Sequence, residues 1–179
     1  MTLVKGLVLV VGVLVFGSFS GCMGETGSAS AEVRVLSSTG AQGATAGWAN
    51  FTEDGGKLTI HIELRGVPAG EHGAHIHQNG ACGTSTANGT TTVGGAAGGH
   101  FNPAGAKHPQ HAGDLGNINV QSGGTGTLTF TSDDLTLKEG DAMSVVGRSV
   151  VIHAGKDDLQ SDPAGNSGAR LLCGVIMKA

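Results

Sequence analysis

Seven side chains of metal-ligating type, His75, His77, His100, His108, His111, Asp114 and His153, are spread over the middle and end of the chain. On a β-strand, residues two apart point to the same face, so His75 and His77 can present two imidazoles side by side to one ion. His72 has the opposite parity and reads as a supporting hydrogen bonder, outside the ligand set. Imidazole serves both copper and zinc, whereas a carboxylate such as Asp114 added to imidazoles suits zinc better. Two different metal sites are therefore expected.

The elements that must position these groups read as β throughout. Glu32 to Leu36, Ala44 to Phe51 and Leu58 to Leu64 alternate or are rich in β-branched residues, with Asp54-Gly55-Gly56 as a turn between the last two. Asn117 to Val120, Gly126 to Phe130, Ser149 to Ile152 and Leu171 to Met177 follow. Gly- and Asp-rich breaks separate them, and no run sustains a helical period. Short strands with long loops point to an all-β antiparallel sandwich or flattened barrel. His61 lies mid-strand, away from every motif, and is expected to face solvent. Gly83 to Gly99 is a run of Gly, Thr and Ala that cannot form a core of its own, and it reads as a surface excursion, with a subunit-contact loop as the functional alternative.

Five motifs, in this order, are similar to the copper/zinc superoxide dismutase family: His75-Ile76-His77; Gly99-His100-Phe101-Asn102-Pro103; His111 through Asn117; Gly147-Arg148 with Val151-Ile152-His153; and Gly168 through Gly174. The resemblance covers roughly residues 32 to 178. It implies an eight-stranded antiparallel Greek-key barrel with long metal-binding and electrostatic loops. Copper would be held by His75, His77, His100 and His153, and zinc by His100, His108, His111 and Asp114, with His100 shared. Asp157 matches a carboxylate that links a copper ligand to a zinc ligand, an outer bond that fixes ring orientation; the alternative for Asp157 and its neighbour Asp158 is a solvated acidic turn.

The implied activity is dismutation of superoxide to dioxygen and hydrogen peroxide by alternate reduction and oxidation of copper, with a proton supplied through His100. Arg170 matches the arginine beside the copper, where a permanent cation attracts and orients the anion. Lys107 and Lys156 are further candidates for steering charges. Two departures from the family stand out. Ala164 replaces a threonine common in the channel wall of eukaryotic members, and only Pro109 and Gln110 separate His108 from His111, a shorter link than usual. Reach is sufficient for a tetrahedral zinc site, and because the residue before proline avoids the helical region, the link is expected to be extended. The alternative function is a non-catalytic copper- and zinc-binding module of the cell envelope, which would have little use for an anion-guiding Arg170.

Residues 1 to 21 combine a basic start at Lys5, an apolar stretch from Gly6 to Phe16 and small residues before Cys22. This reads as an export signal, too short for a spanning helix, and the residues leading into Cys22 resemble a bacterial lipobox, although Phe19 stands where leucine is usual. The expected organisation is a lipoprotein signal peptide over 1–21, a flexible tether over 22–31 carrying an acylated Cys22, and the dismutase-like domain over 32–179, lipid-anchored to the envelope. With Cys22 acylated, Cys82 and Cys173 remain as an even pair in an exported chain, and the resemblance implies that they form a bridge. Removal of the signal takes away Lys5 and no acid, leaving nine Lys and Arg against 14 Asp and Glu, a net −5. Mild acidity without a basic run argues against a nucleic-acid partner. Superoxide and a membrane surface are the expected partners, and the resemblance allows a homodimer.

Overall fold

Strand β3 (Lys57–Leu64) shows how the pattern becomes architecture: Leu58, Ile60, Ile62 and Leu64 are fully buried, while Thr59, His61 and Glu63 lie on the other face. In the computed structural model, which describes residues 26–179, ten further strands accompany it. These are β1 (Gly27–Leu36), β2 (Gln42–Asp54), β4 (Gly70–His77), β5 (Ser85–Ala87), β6 (Thr90–Thr92), β7 (Asp114–Val120), β8 (Gly126–Ser132), β9 (Ser149–His153), β10 (Arg170–Val175) and β11 (Met177–Lys178). Residues 1–21, expected as a signal peptide, and Cys22 lie outside the described residues.

The main sheet runs β10-β9-β4-β7-β8-β3-β2-β1, and β10 pairs again with β1, through Arg34 with Cys173 and Val35 with Leu172. This closes an eight-stranded antiparallel barrel. Because β3 and β4 are consecutive in sequence yet separated by β8 and β7, the connectivity is a Greek key. Closure leaves one continuous interior, filled by Phe51, Leu58, Ile60, Ile62, Leu64, Ile76, Ile118 and Ile152, each 1% exposed or less. At roughly 25 cal/mol per Å2 of apolar area, each such side chain contributes about 1.5–3 kcal/mol.

The start of the domain differs from expectation. Gly27–Ala31, expected as the end of the tether, is strand: Ala29 and Ala31 are buried, Ser28 and Ser30 alternate with them, and Ala29 pairs with both Phe51 and Lys178. Gly83 to Gly99 also has more structure than its composition suggests. Its Asn88-Gly89 pair, with φ of 51° and 76°, closes the β5–β6 hairpin, and Gly95–Ala97 forms a 3-10 turn. His61 is partly exposed and bonds Thr129 Oγ1 at 3.0 Å, remote from the metal-ligating cluster.

The disulfide Cys82–Cys173 sits in a second small core with Leu36, Ala97 and Val151, beneath the loop that follows β4. It joins residues 91 apart in sequence, which in the chain-entropy picture destabilises the unfolded chain by about 4–5 kcal/mol.

Candidate metal centre

Strand β4 is covered on both faces. Ala74 and Ile76 point into the barrel core, so His75 and His77 point outward, where the segments after β4 and after β9 bury them. His153 ends β9, the neighbour of β4, and Asp114 opens β7 on its other side, paired with His75. His100 is brought against His77 by a single bridge. Two groups of four ligand atoms result, each with its members within 4.8 Å of one another: His75, His77, His100 and His153, and His100, His108, His111 and Asp114; a third, His108 with Asp157 and the exposed Asp158, adjoins them. All seven candidates, in the two expected sets with His100 common, are thus brought together.

Hydrogen bonds decide which nitrogen of each ring is available. His77 Nδ1–H donates to Gly98 C=O at 2.9 Å and His153 Nδ1–H to Gly168 C=O at 3.0 Å. With the proton fixed there, the Nε2 lone pairs of His77 and His153 face each other at 3.3 Å. His75 Nε2–H donates to Asp157 Oδ2 at 2.7 Å, which turns its Nδ1 to the same point. His75 Nδ1, His100 Nε2 and His108 Nδ1 are buried without a hydrogen-bond partner among the described residues. Orphaned and converging lone pairs of this kind are costly unless a cation gathers them, so the residues fit a metal.

The carboxylate half obeys the same logic. Asp114 lies 2.7 Å from His100 Nδ1, 3.1 Å from His108 Nδ1 and 3.2 Å from His111 Nδ1. A tetrahedral zinc with ligands at about 2.0–2.1 Å needs ligand atoms roughly 3.3 Å apart, so only small adjustments are required. Burial disfavours the Asp114 carboxylate, but bonds from the His100 ring and the His111 N–H win and hold its pKa below the usual value. The link from His108 to His111 is a tight turn and not the extended run expected. Gln110 N–H bonds Lys107 C=O at 2.8 Å, and the His108–Pro109 peptide within the turn is cis.

Asp157 joins the halves. Fully buried, it accepts from His75 Nε2–H through Oδ2 and from His108 Nε2–H through Oδ1 at 2.8 Å. Asn117 fixes the backbone of Asp157 from both sides, accepting its N–H at 2.8 Å and donating to its C=O at 2.9 Å. Gly165 must be glycine: its φ is +59°, and an added Cβ would lie 1.8 Å from Asp157 Oδ1. His72, as expected, supports the set without joining it, its ring nitrogens lying 2.8 Å from His153 C=O and 2.9 Å from Pro68 C=O.

Comparison with known proteins agrees with this geometry. The profile of the copper/zinc superoxide dismutase family matches residues 45–176. The chain belongs to that family. A protein named superoxide dismutase (Cu-Zn) from Deinococcus radiodurans is 44% identical over 145 residues, 75% of this chain and 78% of that one. An extracellular superoxide dismutase (Cu-Zn) from Caenorhabditis elegans is 41% identical over 142 residues, 73% of this chain and 60% of that one. The solved Cu/Zn superoxide dismutase from Brucella abortus superposes with a TM-score of 0.72 at 28% identity, over 83% of this chain and 98% of the other.

Around this dismutase centre the charged candidates separate. Arg170 opens β10 beside His153 and donates through Nη1 to Gly94 C=O and through Nη2 to Gly98 C=O. Its positive charge helps depress the pKa of His77 and of His153. Lys156 pairs with Glu71 at 2.7 Å, which cancels much of its field as a steering charge. Lys107 is exposed. Asp158 is exposed and accepts from Ser161 and Asn166, so the solvated turn, the alternative for both residues, describes Asp158 and not the buried Asp157. The carbonyls of Gly98 and Gly168 were illegible in the sequence, because a backbone acceptor carries no residue signature.

Burial, aided by repulsion from neighbouring imidazoles and, at His77 and His153, from Arg170, pushes the pKa of His75 and His77 down to about 2 and that of His153 to about 4. At neutral pH all three are neutral, the form that ligates metal. Below the unfolded-state value near 6.5 the unfolded chain takes up protons that the native chain refuses, so stability rises with pH in this window. The metal-free domain is expected to lose on the order of 3 kcal/mol between pH 6.5 and 5.5, with little further change above pH 7. Urea unfolding of the metal-free protein across this range checks it, and a flat profile is the contrary result.

Proposed function

We propose that this chain is an exported superoxide dismutase, tethered to the cell envelope through an acylated Cys22, with copper at His75, His77, His100 and His153 and zinc at His100, His108, His111 and Asp114. The observation that carries the assignment of sites is the convergence of His77 Nε2 and His153 Nε2 at 3.3 Å, each ring having its other nitrogen committed to a carbonyl. Copper would supply the one-electron exchange that converts two superoxide anions and two protons into dioxygen and hydrogen peroxide, and zinc a fixed charge on the far side of His100.

The protein's own groups supply the rest. Arg170 offers its remaining N–H groups and a permanent charge to the incoming anion beside the copper set. His100 faces both sets, Nδ1 toward Asp114 and Nε2 toward the copper ligands, and can hold or release a proton at Nε2. Asp157 and the carbonyls of Gly98 and Gly168 keep four of the rings in one tautomer. Export is supported by the Cys82–Cys173 disulfide, which persists in oxidising compartments, and the lipid anchor by the residues leading to Cys22.

One experiment tests this reading. The protein is recovered from a membrane fraction, its N-terminal mass, copper and zinc content and particle mass are measured, and its consumption of superoxide is followed. About one copper and one zinc per chain, a lipid-modified Cys22 and rapid consumption are expected, and the particle mass shows whether the chain is the homodimer the resemblance allows. A metal-loaded protein without activity would leave the envelope metal-binding module as the function.

A further inference from the structure

An imidazole that binds an ion through one nitrogen carries N–H on the other, and that N–H needs an acceptor. His75 and His108 have Asp157, His77 has Gly98 C=O and His153 has Gly168 C=O, while His100 faces both sets with its two nitrogens. His111 is the exception. Its Nδ1 faces Asp114, and its Nε2 makes no hydrogen bond among the described residues. The acidic group beside that nitrogen is Asp162, whose Oδ1 lies 3.8 Å away.

The same oxygen already holds the other end of the short link, accepting His108 N–H at 2.8 Å. Between His108 and His111 the turn contains Pro109, which has no N–H to contribute. A backbone donor at the head of this turn is therefore secured from a different part of the chain, the loop between β9 and β10. Within that loop the turn around Asp158 also has hydrogen bonds of its own. The Asp158 carboxylate accepts from Gln160 N–H at 2.9 Å, Ser161 N–H at 2.8 Å and Asn166 Nδ2 at 2.9 Å, and Gly165 N–H bonds Ser161 C=O at 2.6 Å.

We propose that Asp162 is a positioning residue for the zinc half of the centre, bracing the shortened His108–His111 turn through His108 N–H and accepting a hydrogen bond from His111 Nε2–H. This rests on the zinc reading given above. The 3.8 Å gap is about 1 Å longer than a hydrogen bond, and closing it takes a small turn of the Asp162 carboxylate, 53% exposed, about the oxygen that His108 N–H already holds. The carboxylate supplies negative charge to a ring whose other nitrogen donates to a cation, which raises its strength as a ligand.

Zinc dissociation constants, measured on the folded domain by competition with a chromogenic chelator, are to be compared for the wild type, Asp162→Asn and Asp162→Ala. The visible spectrum of each protein with cobalt(II) in place of zinc is recorded alongside. Asparagine retains an oxygen for His108 N–H but not the charge offered to His111, so affinity is expected to fall about tenfold in Asp162→Asn and up to about 100-fold in Asp162→Ala. The cobalt spectrum should shift in both while copper uptake stays normal. Should Asp162→Ala fail to fold, Asp162→Asn alone carries the comparison. Wild-type affinity and spectrum in the folded variants would overturn the inference alone, whereas a wild-type chain that takes up no zinc would overturn the zinc reading and this inference with it.

Discussion

Asp157→Ala is expected to strip zinc from the protein and loosen copper, because one fully buried carboxylate holds a ring from each ligand set. Its two oxygens accept from His75 Nε2–H at 2.7 Å and His108 Nε2–H at 2.8 Å. Alanine leaves both N–H groups buried without an acceptor, at about 1–3 kcal/mol each, and frees both rings to turn. Loss of a partner of this kind lowers metal affinity by about 10–100-fold. Asp157→Asn separates the contributions, since an amide has one acceptor oxygen and can serve only one of the two rings. The backbone bonds to Asn117 survive in both variants and keep the loop anchored there, while Asp157→Ala also frees Leu159 N–H, which bonds Asp157 Oδ1 at 2.7 Å. Metal content after dialysis against a chelator, with the melting temperature, is the measurement. Retention of both metals in Asp157→Ala would remove Asp157 from the architecture of the centre.

Arg170→Ala should lower the rate of superoxide consumption by tenfold or more, in the range attributed to electrostatic guidance of small anions, and should flatten the dependence of that rate on salt. Arg170 has a second task. Its clamp on Gly98 C=O steadies the acceptor that also receives His77 Nδ1–H. Arg170→Lys keeps the charge but cannot reach two carbonyls with one planar group, so it is expected to preserve much of the salt dependence while losing part of the rate. Stopped-flow assays at two ionic strengths separate the roles, and an unchanged rate and salt slope in Arg170→Ala would exclude guidance by this residue.

Much of the centre was legible in the sequence because its chemistry resides in side chains. The two-residue spacing of His75 and His77 placed them on one face, and the closed barrel confirms that face as the outer one, opposite Ala74 and Ile76. What the sequence hid was mostly backbone. The carbonyls that set the tautomers of His77 and His153 come from glycines, and the turn at Lys107–Gln110 contains a cis peptide that the preference of residues before proline did not foretell. The first strand was missed at Gly27–Ala31 because its inward residues there are alanines, too small to mark a core-facing period. The β5–β6 hairpin was hidden in a similar way, its short strands of Ser, Thr and Ala being exposed and without an apolar face.

The early start of β1 sets how far the domain could stray from an acylated Cys22. Had the barrel begun at Glu32, ten residue steps from Cys22 would allow a separation of about 35 Å. With Gly27 already paired to Glu53 in the sheet, five steps remain, a leash of about 17 Å at full stretch. An acylated Cys22 would then keep the barrel close against the lipid surface with the Gly27 end leading. So tethered, the catalyst would patrol a thin shell of fluid next to the bilayer, and its encounters with superoxide would depend on what crosses or arises at that surface.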